Sequence, residues 1–313
     1  MHLLGYAMRW SARQARWLLV AGLVAGAGLP ELASLLKPWL PELVALMLFL
    51  AAARIGPRAA VGALSDVRAT LKVAVLYQVA LPMAILSVAI QFGQASLPIA
   101  TALVLMASAP SIAGSPNLTV LTGHDPAPAL RILILGTAIL PLTVLPVLWL
   151  LPALGTPQEI FSASARLFLV IVLATGVGFG VRALFWREPS LDEIRTLDGV
   201  SAIAMMVIVV GLMVAVGPAL KETPIELAGW LSVAFAANFG LQILAALLLA
   251  RSALRSQRVP LAIVAGNRNI ALFLAALPAA VTDPILLFIG CYQIPMYLTP
   301  ILLGRLFSPD KTS

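Results

Sequence analysis

Two short stretches place polar side chains where they could bind a ligand within an otherwise apolar chain. One is "AGNRN", residues 265–269, which sets Asn267 and Asn269 on either side of Arg268. The other is "SIAGSPNLTVLT", residues 111–122, which offers Ser111, Ser115, Asn117 and Thr119. Gln78 and Asn238 are two further amides inside apolar runs. Amide and hydroxyl oxygens can accept from a ligand or face a hard cation, whereas a guanidinium stays charged at any physiological pH and presents a planar fork of donors. Arg268 therefore reads as a fixed cation that either attracts an anionic substrate or substitutes for a bound metal ion, and it is a poor proton carrier. The two histidines, His2 and His124, lie at the N-terminus and in a loop, away from these stretches. No Ser/His/Asp set, metal-ligand cluster or carboxylate pair falls at mid-depth, so the pattern points to binding and not to catalysis.

The elements that must position these residues are membrane spans. Of 313 residues, 61% are hydrophobic and 11% charged, with a mean hydropathy of +1.02, a composition no soluble surface tolerates. Apolar runs of about twenty residues match the length of helix that crosses a hydrocarbon core of about 30 Å, and no barrel-like alternation is present. The expectation is an all-α polytopic membrane protein with ten spans. They fall near 17–33, 38–54, 69–92, 97–123, 128–152, 163–185, 198–220, 227–250, 259–279 and 284–306. The stretch "MHLLGYAMRWSARQAR" lacks a long apolar core and cleavage site and reads as a flank of the first span, not as a signal peptide.

The net charge of +7 does not call for nucleic acid. Sixteen of the 20 Lys and Arg fall on the side that receives the N-terminus, Lys37, Arg166 and Lys221 fall opposite, and Arg268 lies inside the ninth span. That asymmetry predicts both termini on the cytoplasmic side of a cell inner membrane. Cys291, alone, can form no internal disulfide and reads as core filler.

Internal similarity divides the chain. "AGSPN" (113–117) resembles "AGNRN" (265–269), and "LPLTVLP" (140–146) resembles "IPMYLTP" (294–300), at offsets of 152 and 154 residues. Two matches in the same order predict duplicated halves, 1–155 and 156–313, each of five spans and hence inverted in the membrane. Pro116, Gly114 and Gly266 predict breaks in spans four and nine, through a lost donor and irregular dihedrals. Arg268 sits eight residues from Pro260 and ten from Pro278, about 12–15 Å from either end at helical rise. An arginine that deep costs at least ~2.5 kcal/mol unless it faces protein or water. It either contacts substrate or braces the break through carbonyls, and the carboxylates all fall in loops or near span ends.

These features resemble the bile acid:sodium symporter family along nearly the whole chain. "YQVALPMAI" (77–85) is similar to its third span, "SIAGSPNLTVLT" to its fourth, and "AGNRNIALFLAAL" (265–277) takes the place of its ninth-span "E-x-G-x-Q-N" pattern. The resemblance implies crossed broken helices four and nine, and a panel of spans one, two, six and seven that rocks against a core of three, four, five, eight, nine and ten. It also implies two sodium ions held by a ninth-span glutamate, a nearby glutamine, carbonyls and Ser, Asn and Thr side chains. Aligned on Gly266, Val264 stands for that glutamate and Arg268 for the glutamine, while Asn269, Gln78 and Asn117 match polar family positions. A degenerate ion site of Gln78, Asn117, Asn238, Val264 and Arg268 is the expectation, with sodium coupling lost.

The function expected is therefore secondary transport of a small or amphipathic organic anion by alternating access. Asn117, Asn267, Arg268, Asn269, Ser111, Ser115 and Thr119 would meet the substrate. The only partners expected are that anion and the lipid bilayer, with no nucleic acid, protein partner, metal or cofactor, and with sodium left open. Two alternatives stand: a sodium-coupled symporter using neutral oxygens alone, and a membrane sensor or binding protein. No loop between spans is long enough to hold an output domain.

Overall fold

The computed structural model describes residues 2–307, so Asp310 and Lys311 lie outside the described residues. Among them the chain is all-helical, without strands. Helices α1 (His2–Arg13) and α2 (Ala15–Gly28) are separated by Gln14 alone, and the chain turns at Leu29 into α3 (Pro30–Ile55). Then follow α4 (Val67–Gln91), α5 (Pro98–Ser108), α6 (Ser115–Leu121), α7 (Ala127–Thr143), α8 (Pro157–Phe185), α9 (Leu191–Glu222), α10 (Pro224–Leu249), α11 (Arg258–Gly266) and α12 (Ala279–Leu302). Six of these, α3, α4, α8, α9, α10 and α12, are long and apolar enough to cross a membrane. The windows expected at 17–33, 97–123, 128–152 and 259–279 hold shorter or interrupted helices instead.

Local sequence accounts for many helix starts. Prolines at the first or second helical position open α3, α5, α6, α7, α8 and α10, where the missing donor costs nothing. Capping boxes add to this at α8 and α9: Thr156 Oγ1 accepts from Glu159 N at 3.3 Å, Ser190 Oγ accepts from Glu193 N at 3.3 Å, and each glutamate answers the cap N–H. The N-terminal flank is an element of its own. It is helical from His2, because nothing between Gly5 and Arg13 stops a helix, so Arg9 and Arg13 ride on a packed element.

Helices pack in two groups through small residues. Gly199 of α9 lies against the Met8 carbonyl of α1, and Gly178 of α8 against Phe49 and Ala52 of α3. A Cβ on Gly26 of α2 would stand 2.7 Å from the Val210 carbonyl of α9, closer than real side chains come. Without a hydrophobic drive between helices in lipid, such close approach is the main source of packing energy. The second group joins α10 to α11 and α12, and α4 to α5 and α7. Buried side chains from both groups meet around Leu105, Leu212, Leu272 and Phe288.

Candidate functional site

Chain breaks after α5 and α11 meet at the centre of the molecule. Ala109 is extended (φ −60°, ψ 152°) because the following Pro110 disfavours helical geometry before it. Asn267 (ψ 88°) and Asn269 (ψ 62°) leave the helix after Gly266, and a 3-10 helix, Ile270–Ala275, resumes the chain. The two irregular segments pair antiparallel at Ser111 and Arg268. Ile112 N donates to the Asn267 carbonyl at 3.1 Å and Asn269 N to the Pro110 carbonyl at 2.8 Å. Backbone groups freed by the breaks thus satisfy one another, as a buried break in a membrane requires.

Three expectations about the breaks change. Pro116 does not break the fourth helix; it lies in the first turn of α6, while Pro110 ends the preceding helical geometry. Gly114 has an ordinary φ of −78° and Gly266 is not among the glycines with positive φ. Gly266 is required by proximity instead, since a Cβ there would collide with the Asn238 carbonyl and stand 2.5 Å from Gln242 Cγ.

Arg268 is 1% exposed, and its Nη2 donates to the Tyr77 carbonyl at 2.9 Å. Tyr77 lies in a π turn, Leu76–Ala80, where Leu81 N bonds back to the Leu76 carbonyl. The next possible donor for the Tyr77 carbonyl is residue 82, a proline without N–H. Arg268 therefore fills a vacancy that "YQVALP" creates. Its guanidinium carbon also lies 5.1 Å from the centre of the Tyr77 ring, within cation–π range. Yet Nε has no hydrogen-bond partner, and among the described residues no carboxylate pairs with Arg268.

Behind the crossover lies a neutral amide network. Asn238 Nδ2 donates to the Gly266 carbonyl at 2.6 Å and to Asn267 Oδ1 at 3.4 Å, while Gln242 Nε2 donates to Asn238 Oδ1 at 2.7 Å and Thr299 Oγ1 at 3.0 Å. The Tyr292 hydroxyl also donates to the Gly266 carbonyl, and Asn267 Nδ2 donates to the Ile263 carbonyl at 2.8 Å. The C-terminal carbonyls of α11 are thus capped by neutral donors. Gln242 Oε1 is the buried oxygen left unpaired.

The other expected residues separate. Ser111 Oγ donates to Ser115 Oγ at 2.7 Å and Thr119 Oγ1 to the Ser115 carbonyl at 2.9 Å, all three buried. Gln78 turns to α7, donating to the Gly136 carbonyl at 3.0 Å and accepting from Thr143 Oγ1 at 3.1 Å. Val264 is fully buried among apolar neighbours. Asn117 does not join the crossover; it is exposed, because two residues past Ser115 a helix presents its opposite face.

Two cavities adjoin the crossover. A chamber of about 290 Å³ is lined by Arg268, Asn269, Ser111, Thr137, Thr175 and Gln293 among mostly apolar side chains, including Met47, Ile171, Ile208 and Met296. Its walls come from both helix groups: α3, α8 and α9 on one side, α7, α12 and the crossover on the other. A vestibule of about 910 Å³ is lined by Arg9, Arg13, Arg54, Arg195, Asp198, Ser201 and Asn117. Met47, Ala51, Ile55, Ala113, Gly114, Leu133 and Met205 belong to both walls, so the cavities adjoin along a common neck.

Tyr77, Gln242, Tyr292 and Thr299 were not among the residues expected to matter. Gln242 follows Asn238 by one helical turn and Tyr77 precedes Pro82 by five residues, the signals that could have found these two. No group of three metal-ligating His, Cys, Asp or Glu comes together among the described residues. No protein-family model matches the chain, and no curated protein matches it in sequence.

Proposed function

We propose that the protein is a secondary transporter of a small or amphipathic organic monoanion. The observation that carries this is Arg268, a buried guanidinium on the wall of an apolar chamber, with an unpaired Nε and, among the described residues, no acidic partner. A buried charge without a counter-ion is costly, and a ligand that supplies the missing charge relieves that cost. The chamber's few polar groups suit one anionic head and an apolar body better than a polyhydroxylated or multiply charged solute.

In this reading ten spans form two inverted halves, 1–155 and 156–313, as in the bile acid:sodium symporter family. The panel of spans one, two, six and seven rocks against the core, and the chamber between them opens by turns to either side of an inner membrane. With the termini cytoplasmic, the vestibule that holds Arg9 and Arg13 faces inward. Arg268 supplies from within the chain the positive charge that the family takes from sodium, and its bond to the Tyr77 carbonyl makes that charge part of the fold. Transport is then independent of sodium.

One observation favours a second reading. Gln242 Oε1, unpaired beside the oxygens of Asn238, Asn267 and Thr299, is a neutral donor set of the sort a sodium-coupled carrier would use. The test is uptake by proteoliposomes of a mixture of organic acids, neutral organic solutes and organic cations, followed by mass spectrometry, in sodium and in choline buffer. Equal accumulation of a monoanion in both supports Arg268 as the resident cation. Accumulation only in sodium transfers the function to the second reading, and accumulation of none but neutral or cationic solutes removes both.

A further inference from the structure

Four of the basic residues on one side of the molecule line a single cavity, the vestibule. Arg58, Arg187 and Arg255 lie toward the same end of the molecule but are not part of its wall, whereas Arg9, Arg13, Arg54 and Arg195 converge on it. Arg9 and Arg13 are one helical turn apart on α1 and make no ion pair among the described residues. The acid of the wall, Asp198, is already engaged by Arg54 through both carboxylate oxygens. Arg195 has an exposed partner, Asp192, at 3.5 Å, outside the lining. The same wall carries Ala12, Ala51, Ile55, Leu130 and Leu133, and a cleft of one charge sign with apolar walls focuses its field and concentrates counter-ions tenfold or more.

We propose that Arg9, Arg13 and Arg195 make the vestibule an outer anion station, at which the head group of a soluble substrate anion collects before its apolar part enters the chamber. This rests on the anion reading of Arg268. The arginines differ in role: those of the vestibule act through an open aqueous field and set how fast anions arrive, while Arg268 acts by contact.

The test uses charged thiol reagents, so it needs no knowledge of the substrate. Asn117, exposed on the vestibule wall, is replaced as Asn117→Cys in a Cys291→Ser background, the natural cysteine being fully buried. Rates are measured in phosphatidylcholine nanodiscs with the anionic sulfonatoethyl and the cationic trimethylammonioethyl methanethiosulfonates, each relative to a free thiol. The expected result is faster anionic modification, a rate ratio that falls about tenfold in Arg9→Gln/Arg13→Gln, and recovery in Arg9→Lys/Arg13→Lys. The difference disappears near 1 M salt, where the screening length is about 3 Å.

An unchanged ratio in the glutamine double variant overturns the proposal, as does a ratio that depends on Arg268→Gln instead. Loss of the anionic preference when phosphatidylglycerol is added, in the wild-type arginine background alone, assigns the station to a lipid head group and overturns it for a soluble anion. The chamber is tested separately with Thr137→Cys: a preference there that ignores Arg268→Gln removes the anion reading of the chamber while the ratio at position 117 still decides the vestibule.

Discussion

Behind the crossover, Asn238, Gln242, Asn267, Thr299 and Tyr292 are joined by hydrogen bonds to one another or to the Gly266 carbonyl, and none of these side chains is charged. In front of it, Arg268 lines the chamber and carries a full charge, a single hydrogen bond and a buried, unpaired Nε. The same three residues, Asn267 to Asn269, supply both sides. A neutral network that leaves one acceptor unpaired ties the end of α11 to α10 and α12, while the main-chain bonds of Ile112 N and Asn269 N hold the two breaks to each other. A charge held by one carbonyl does little for stability and leaves binding capacity over. The rear of the crossover thus reads as the fold's fastening and the front as its site.

The largest expected effect lies at the rear. Gly266→Ala would push a methyl group into the Asn238 carbonyl, a backbone atom that cannot turn aside, and should prevent accumulation of folded protein, read as loss of a monodisperse peak on size exclusion. Next, Asn238→Ala strips one donor from Gly266 and leaves Gln242 Nε2 with Thr299 alone. It should cost about 1–3 kcal/mol for the groups left unsatisfied and lower the melting temperature by several degrees, whether or not an anion is present.

Arg268→Gln should sort the other way. Removing an unpaired buried charge offsets the lost bond to Tyr77, so the melting temperature without ligand should not fall, whereas anion affinity should drop about 10–100-fold, the worth of a charge-assisted hydrogen bond of ~1.5–3 kcal/mol. A fall in stability comparable to that of Asn238→Ala would erase the difference between the two sides. The smallest effect belongs to Lys37, whose ion pair with Asp283 at 3.0 Å lies half-exposed at the end of the molecule opposite Arg54. Lys37→Gln should change stability by less than about 1 kcal/mol, measured in the same melts.

Much of this comparison is legible in the residues. "AGSPN" and "AGNRN" mark both breaks, and the absence of acids at depth marks Arg268 as unpaired. Less legible is which atom each break needs. Pro110 rather than Pro116 ends α5, and Gly266 is there for the approach of α10, because sequence spacing reveals periodicity along one helix and not the distance to its neighbour. Asn117 could have been read correctly, since helical phase alone turns it away from Ser115. The partner of Arg268 is harder to see: the Tyr77 carbonyl is free only because a π turn and Pro82 act together, and a main-chain acceptor leaves no mark in side-chain chemistry.

The central claim, that Arg268 is a resident cation open to an anion, is tested most directly by thermal melts in sodium-free choline buffer. Wild type and Arg268→Gln are compared across a set of aliphatic and aromatic monocarboxylates and sulfonates. The prediction is that at least one anion, at a hundred times its wild-type dissociation constant, adds about 2.7 kcal/mol and raises the wild-type melting temperature by roughly 5 °C, and that of the variant by about half as much or less. An equal rise in Arg268→Gln, or a rise in wild type that appears only when sodium replaces choline, would contradict it.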